Sequence, residues 1–170
     1  MALTLPQLQA LKAHLAADPV LDAIPRNSDG AFEVAAAMNL TASPEFWVWK
    51  SSVSRAFIYH ETSPTGSSWD WTTYKNQGAT EQNAWVQMFM GDVANFSKPN
   101  LRAGVAAIFT GSGAATAQRD HILACGRRLA TRAEKLFATG TGSTAVPATM
   151  AVEGNLSSND IERAWNAPTP

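Results

Sequence analysis

Leu5, Leu8, Leu11 and Leu15 recur at helical spacing. Thr4-Leu5-Pro6-Gln7 at their head reads as a capping box with proline in the first turn. Asp18-Pro19 stops that helix and opens a short second one through Leu21 and Ile24. Ser28-Asp29-Gly30 opens a third, with Phe32, Val34, Ala35 and Met38 as its apolar positions. The texture changes at Phe46-Trp47-Val48-Trp49, aromatic and β-branched, which predicts a strand over 46–51. In that strand Trp47, Trp49 and Ser51 point opposite to Val48 and Lys50. Ser52 or Ser54 then caps a helical turn through Phe57 and Ile58. Residues 61–79 hold Thr, Ser, Gly, Pro and Asn around Trp69-Asp70-Trp71 and read as a long loop or hairpin.

Helices follow over 80–90, with Trp85 and Phe89 one turn apart, and over 98–110, with Leu101, Val105, Ile108 and Phe109 on one face. The longest helix is expected over 114–138. Ile122, Cys125, Leu129, Ala133 and Leu136 form its apolar stripe, and Gly126 near the same face lets the backbone of a neighbouring helix come close. A Gly/Ser/Thr linker leads to a second strand candidate at 148–153. Ser157-Ser158-Asn159-Asp160 caps a last helix through Ile161 and Trp165. The expected fold is mainly α: a helical bundle with a small β element (46–51 and 148–153, which can pair with each other or with strands of a neighbouring subunit) and a long aromatic-containing loop. Residues 1–165 read as a single domain with the loop inserted, and 166–170 as a polar, proline-broken tail.

A chain of 170 residues suits one domain. Its single cysteine, Cys125, excludes an internal disulfide and a Cys-rich zinc fold. Met1 to Leu8 hold no basic and then apolar run, so no signal peptide is expected there, and no stretch has the length of a membrane span.

Charged residues are 16% of the chain, against about 25% in ordinary domains. The net charge of −1 gives no general attraction to nucleic acid. Its layout is uneven: residues 98–135 hold seven basic and two acidic groups, while residues 1–97 hold five and nine. On the expected long helix, the basic run from Arg119 places Arg128, Lys135, His121 and Arg132 together beside the apolar seam. Such a stripe can meet an acidic subunit surface or phosphates, or simply face water. Trp47 and Trp49 share a strand face. Trp69 and Trp71 in the polar loop are the best interface candidates, because tryptophan is enriched at binding hot spots.

No catalytic signature emerges, and no enzyme activity, cofactor or metal is expected. The sequence lacks HExxH and GxSxG. His121 and Cys125 stand four apart, a two-ligand spacing with no further ligands indicated. Gly111-Ser112-Gly113 is followed by no lysine, so it reads as a helix–helix turn. Asp70, between two tryptophans, is expected to have a raised pKa, with no partner acid for glycoside chemistry.

The stretch Arg127-Arg128-Leu129-Ala130-Thr131-Arg132-Ala133-Glu134-Lys135-Leu136-Phe137-Ala138-Thr139-Gly140-Thr141-Gly142, with Pro147-Ala148-Thr149, Glu153-Gly154 and Val48-Trp49-Lys50-Ser51-Ser52-Val53-Ser54, resembles small structural proteins of tailed phages and prophages. Size and helical content are similar to those of head–tail connector adaptors. The resemblance implies a virion neck protein, assembled in the host cytoplasm into a homo-oligomeric ring, a dodecamer, beneath the portal. Its implied partners are the portal protein, the next neck or tail protein, and DNA in the channel through non-specific contact, with no membrane. The C-terminal helix around Trp165 and the tail to Pro170 would dock into the portal. Other roles that the sequence leaves open are tail completion, head decoration, or a nucleic-acid-binding module on a basic helix over 119–135.

Overall fold

A computed structural model describes residues 3–169. Pro170, the end of the expected tail, lies outside the described residues, as do Met1 and Ala2 of the N-terminal stretch. In chain order the elements are α1 (Leu5–Ala17), α2 (Pro19–Asp22), α3 (Ser28–Met38), β1 (Trp47–Trp49), β2 (Val53–Ser54), α4 (Arg55–His60), α5 (Trp71–Lys75) and α6 (Ala79–Gln87). They continue as β3 (Val93–Ala94), α7 (Pro99–Ile108), α8 (Ala114–Cys125), β4 (Arg127–Leu129), α9 (Arg132–Phe137), β5 (Ala138–Thr139), β6 (Thr149–Met150) and α10 (Ser158–Trp165). The fold is mainly α-helical with small two-stranded sheets, as the apolar spacing predicts. Among the described residues no helix is long and apolar enough to cross a membrane.

The chain, read from sequence as one domain, divides into two compact units. Unit 1 comprises residues 1–48 and 129–170; unit 2 is the continuous stretch 49–128.

Unit 1 is built on α1, α3 and α10, with α10 packed on both of the others. Gln7 Oε1 accepts the Thr4 N–H at 2.9 Å, so the predicted cap closes the start of α1. Leu8, Leu11 and Leu15 are buried, whereas Leu5, one turn ahead, is half in water. Asp18 caps α2 through the N–H groups of Val20 and Leu21. Asn27, rather than Ser28, caps α3, its Oδ1 accepting the Gly30 N–H at 2.8 Å. The core joins these leucines to Val34, Met38, Ala133, Ile161 and Ala164. The expected tail is not a free arm through its described part. Ala167 is in that core, its carbonyl accepts from Lys12 Nζ at 2.6 Å, and the Pro168 carbonyl accepts from Gln9 Nε2 at 3.1 Å.

The two strand candidates do meet. Val48 forms a parallel bridge with Ala148, and the Ala148 N–H donates to the Trp47 carbonyl at 2.9 Å. Val48, Ala148 and Ala130 make a small buried cluster of their own. β6 also pairs antiparallel with β5.

Unit 2 holds α4 to α8 around an aromatic core of Trp49, Trp69, Trp85, Phe89, Phe96 and Phe109 with Ile58, Val105, Ile122 and Cys125. A fully buried side chain of this size contributes roughly 1.5–3 kcal/mol. β2 and β3 pair antiparallel at its edge, Val53 opposite Ala94 and Ser54 opposite Val93.

The expected helix over 114–138 is three elements. α8 ends with Gly126 as its C-cap, Arg127–Leu129 run extended as β4, and α9 starts afresh at Arg132. Local chemistry forces the break. Thr131 Oγ1 accepts the Glu134 N–H at 3.1 Å, and Glu134 Oε2 accepts the Thr131 N–H at 2.9 Å. This reciprocal cap belongs only at the start of a helix.

Candidate functional site

The expected basic stripe does not exist as a single helix face. Arg119 lies on α8 and Arg128 on β4, both in unit 2, while Arg132 and Lys135 lie on α9 in unit 1. Arg119 Nε stands 3.9 Å from Asp120 Oδ1. Arg132 Nη2 donates to Asp18 Oδ2 at 2.7 Å. A contact between basic and acidic segments is therefore made within one chain. Burial pushes the Asp18 carboxyl up, but hydrogen bonds from Leu21, Arg132 and Val20 outweigh it and hold the group below its ordinary value. Lys135 Nζ sits 5.6 Å from the Phe46 ring centroid. Arg132 and Lys135 line a hollow of about 420 Å³ with His14, Ala42, Ser43 and Leu136.

Behind Arg132 and Lys135, Glu134 points the other way and is buried. Its Oε1 accepts the Gly154 N–H at 2.9 Å while Oε2 closes the cap on Thr131. One carboxylate thus ties α9 to the turn after β6. Glu134 is not among the site residues expected from sequence, although Thr131-x-x-Glu134 is a readable capping box.

The five tryptophan candidates have different fates. Trp69 is 7% exposed and belongs to the core of unit 2, not to a surface. Its ring stacks on Trp85 at 5.3 Å and meets Tyr59 at 4.6 Å, Tyr74 at 5.5 Å and Phe109 at 6.1 Å. The loop around it is ordered by hydrogen bonds. Gln118 Oε1, deep in α8, accepts the Asp70 N–H at 2.8 Å, and Asp70 in turn caps α5. The pKa of Asp70, expected to rise, instead falls, because the Thr73 hydroxyl and the Thr72 N–H donate to its carboxylate.

Trp71 is 50% exposed and leans on Tyr59 at 4.9 Å, so it remains a surface candidate. Trp49 is buried in unit 2 beneath Arg102, whose guanidinium carbon lies 4.5 Å from the ring centroid. Trp47 and Trp165 are half-buried in unit 1. Trp165 lines a polar hollow of about 310 Å³ with Arg26, Asn27, Ser28, Glu162 and Asn166.

The spacing of His121 and Cys125 also finds a structural use. His121 is fully buried, with Nε2 2.8 Å from the Ile58 carbonyl and Nδ1 3.0 Å from the Ser67 carbonyl. The ring pins the polar loop and α4 to α8. Cys125 Sγ lies 3.8 Å from that ring, and burial pushes its thiol up to about 11. Among the described residues no three His, Cys, Asp or Glu side chains are grouped to hold a metal ion.

No protein-family model, no curated protein and no solved structure matches this chain.

Proposed function

We propose that the protein is a structural component of a tailed-phage virion, a head–tail connector that forms a ring beneath the portal and guides DNA passage. The observation that carries the reading is the convergence of separated segments that bear the resemblance. Val48, Ala130 and Ala148 share one buried cluster, and Glu134 reaches Gly154 through its carboxylate. Residues far apart in sequence that resemble one family and also pack together argue for a shared fold rather than a chance string. The C-terminal segment is held on α1 as far as Pro168. Portal contact therefore falls to the outer face of α10, around the half-buried Trp165, rather than to a free arm.

The test is sedimentation of purified protein with purified portal protein, followed by electron microscopy of the co-sedimenting fraction. Rings seated on portals are expected. A chain that stays in the supernatant at every ratio overturns the reading. The reading as a nucleic-acid-binding module required a continuous basic helix over 119–135, and that helix is broken at Gly126.

A further inference from the structure

Charge divides along the folding units. Unit 1 carries five basic and nine acidic residues, net −4, and unit 2 carries eight and five, net +3, which together give the −1 of the whole chain. Opposite signs on two bodies of one chain give two copies a way to recognise each other.

Each unit also leaves apolar side chains in water. The inner face of α3 is filled by Ala31, Val34, Ala35 and Met38. Its outer face presents Asp29, Phe32, Glu33 and Ala36, with Leu40 one turn further on. Phe32 and Leu40 are each 63% exposed. Phe32 thus stands in solvent on the same exposed face as Asp29 and Glu33 and is no part of its own core.

In unit 2 a hollow of about 380 Å³ opens at the β2–β3 edge, lined by Lys50, Ser52, Val53, Ser54, Phe57 and Val93. Phe57 is 37% exposed and Val93 46%. Lys50 Nζ lies 4.2 Å from the centroid of the Phe57 ring, which sets a cation beside an apolar wall. The hollow next to it, which shares Ser54, is lined by one basic and one acidic residue, Arg55 and Asp92.

We propose that α3 of one copy seats in the Lys50–Phe57–Val93 hollow of a second copy, with Phe32 against Phe57 and Val93 and with Asp29 and Glu33 facing Lys50. The surfaces match in kind: an aromatic knob flanked by acids, and an apolar hollow rimmed by a cation. Two different patches are used, so the contact is head-to-tail and repeats from copy to copy. It rests on the homo-oligomer in the reading above and names the surfaces that build it. Its charged part weakens with added salt.

Two single variants test it. Phe32→Asp removes the knob and leaves the hollow intact, while Val93→Asp puts a carboxylate in the hollow and leaves α3 intact. Both side chains are exposed, and circular dichroism melts check that each variant folds. In sedimentation velocity the wild-type chain should self-associate. Each variant alone should do so about tenfold or more weakly. An equimolar mixture should form a dimer and stop there, because one intact knob and one intact hollow remain. A monomeric wild-type chain, variants that assemble like wild type, or a mixture that stays monomeric each overturn the proposal. Failure to bind portal, with the mixed dimer still forming, removes the connector reading and leaves this contact standing.

Discussion

Gly126 lies against the ring of Phe96: a β-carbon added there would come within 2.7 Å of Phe96 Cγ. Phe96 is fully buried and has nowhere to retreat. The close neighbour of Gly126 is therefore an aromatic side chain of the same unit, not the helix backbone that the sequence predicts there. The φ of Gly126 is −72°, which any residue adopts, so only the contact constrains the position. Gly126→Ala should cost about 1–3 kcal/mol by overpacking. Urea denaturation followed by tryptophan fluorescence measures it, and an unshifted midpoint would show the ring to be movable.

Trp69 and Trp71 sit two residues apart with opposite surroundings. Trp69→Ala should cost about 3–5 kcal/mol as a cavity in the unit 2 core. Trp71→Ala should lose only its edge contacts with Tyr59, Trp69 and Tyr74, about 1 kcal/mol. Equal losses for the two, read from denaturation midpoints, would contradict the burial difference.

Asp18 and Asp70 both have pKa values held below the ordinary carboxylate value. A lowered folded pKa means that the stabilisation is complete above the unfolded value of about 3.9 and is lost as pH falls through the folded one. Stability should therefore decline on acidification below about pH 4. Asp18→Asn and Asp70→Asn should each make that decline shallower. Denaturation midpoints taken across this range decide it, and slopes identical to wild type would remove both groups from the acid limb.

Cys125 is buried and its thiol is pushed up to about 11 by burial, with Glu61 adding to the rise and Lys50 opposing it. At pH 8 it should resist a thiol reagent such as dithionitrobenzoate while the protein is folded, and react fully in denaturant. Rapid labelling of the native chain would show that unit 2 opens.

Where local chemistry decides the structure, the sequence was readable. The Thr4–Gln7 cap, the buried leucines of α1 and the helices around Trp85 and Val105 all follow from short-range patterns. The long helix misled because Ile122, Cys125, Leu129, Ala133 and Leu136 keep helical spacing through a strand. Ile122 and Cys125 pack in one core and Ala133 in the other. The Thr131–Glu134 box carried the stop, and the apolar period masked it. Trp69 misled for a different reason. Its neighbours in sequence are polar, while the rings that bury it come from residues 59, 85 and 109, and that assembly exists only in the folded unit. His121 was opaque likewise, since its two carbonyl partners are 54 and 63 positions away.

The Lys50 N–H donates to the Gly126 carbonyl at 2.9 Å, so unit 2 begins and ends at neighbouring points. Residues 49–128 interrupt unit 1 and then hand the chain back to it. This imposes an order on synthesis. As the polypeptide leaves the ribosome, unit 2 has every one of its core partners while α1 and α3 still lack α10, the helix that covers them. The N-terminal helices must wait, with Leu8, Leu11 and Met38 uncovered, until α10 is made. Unit 2 is thus the earlier finished body, and the two segments of unit 1 are completed together.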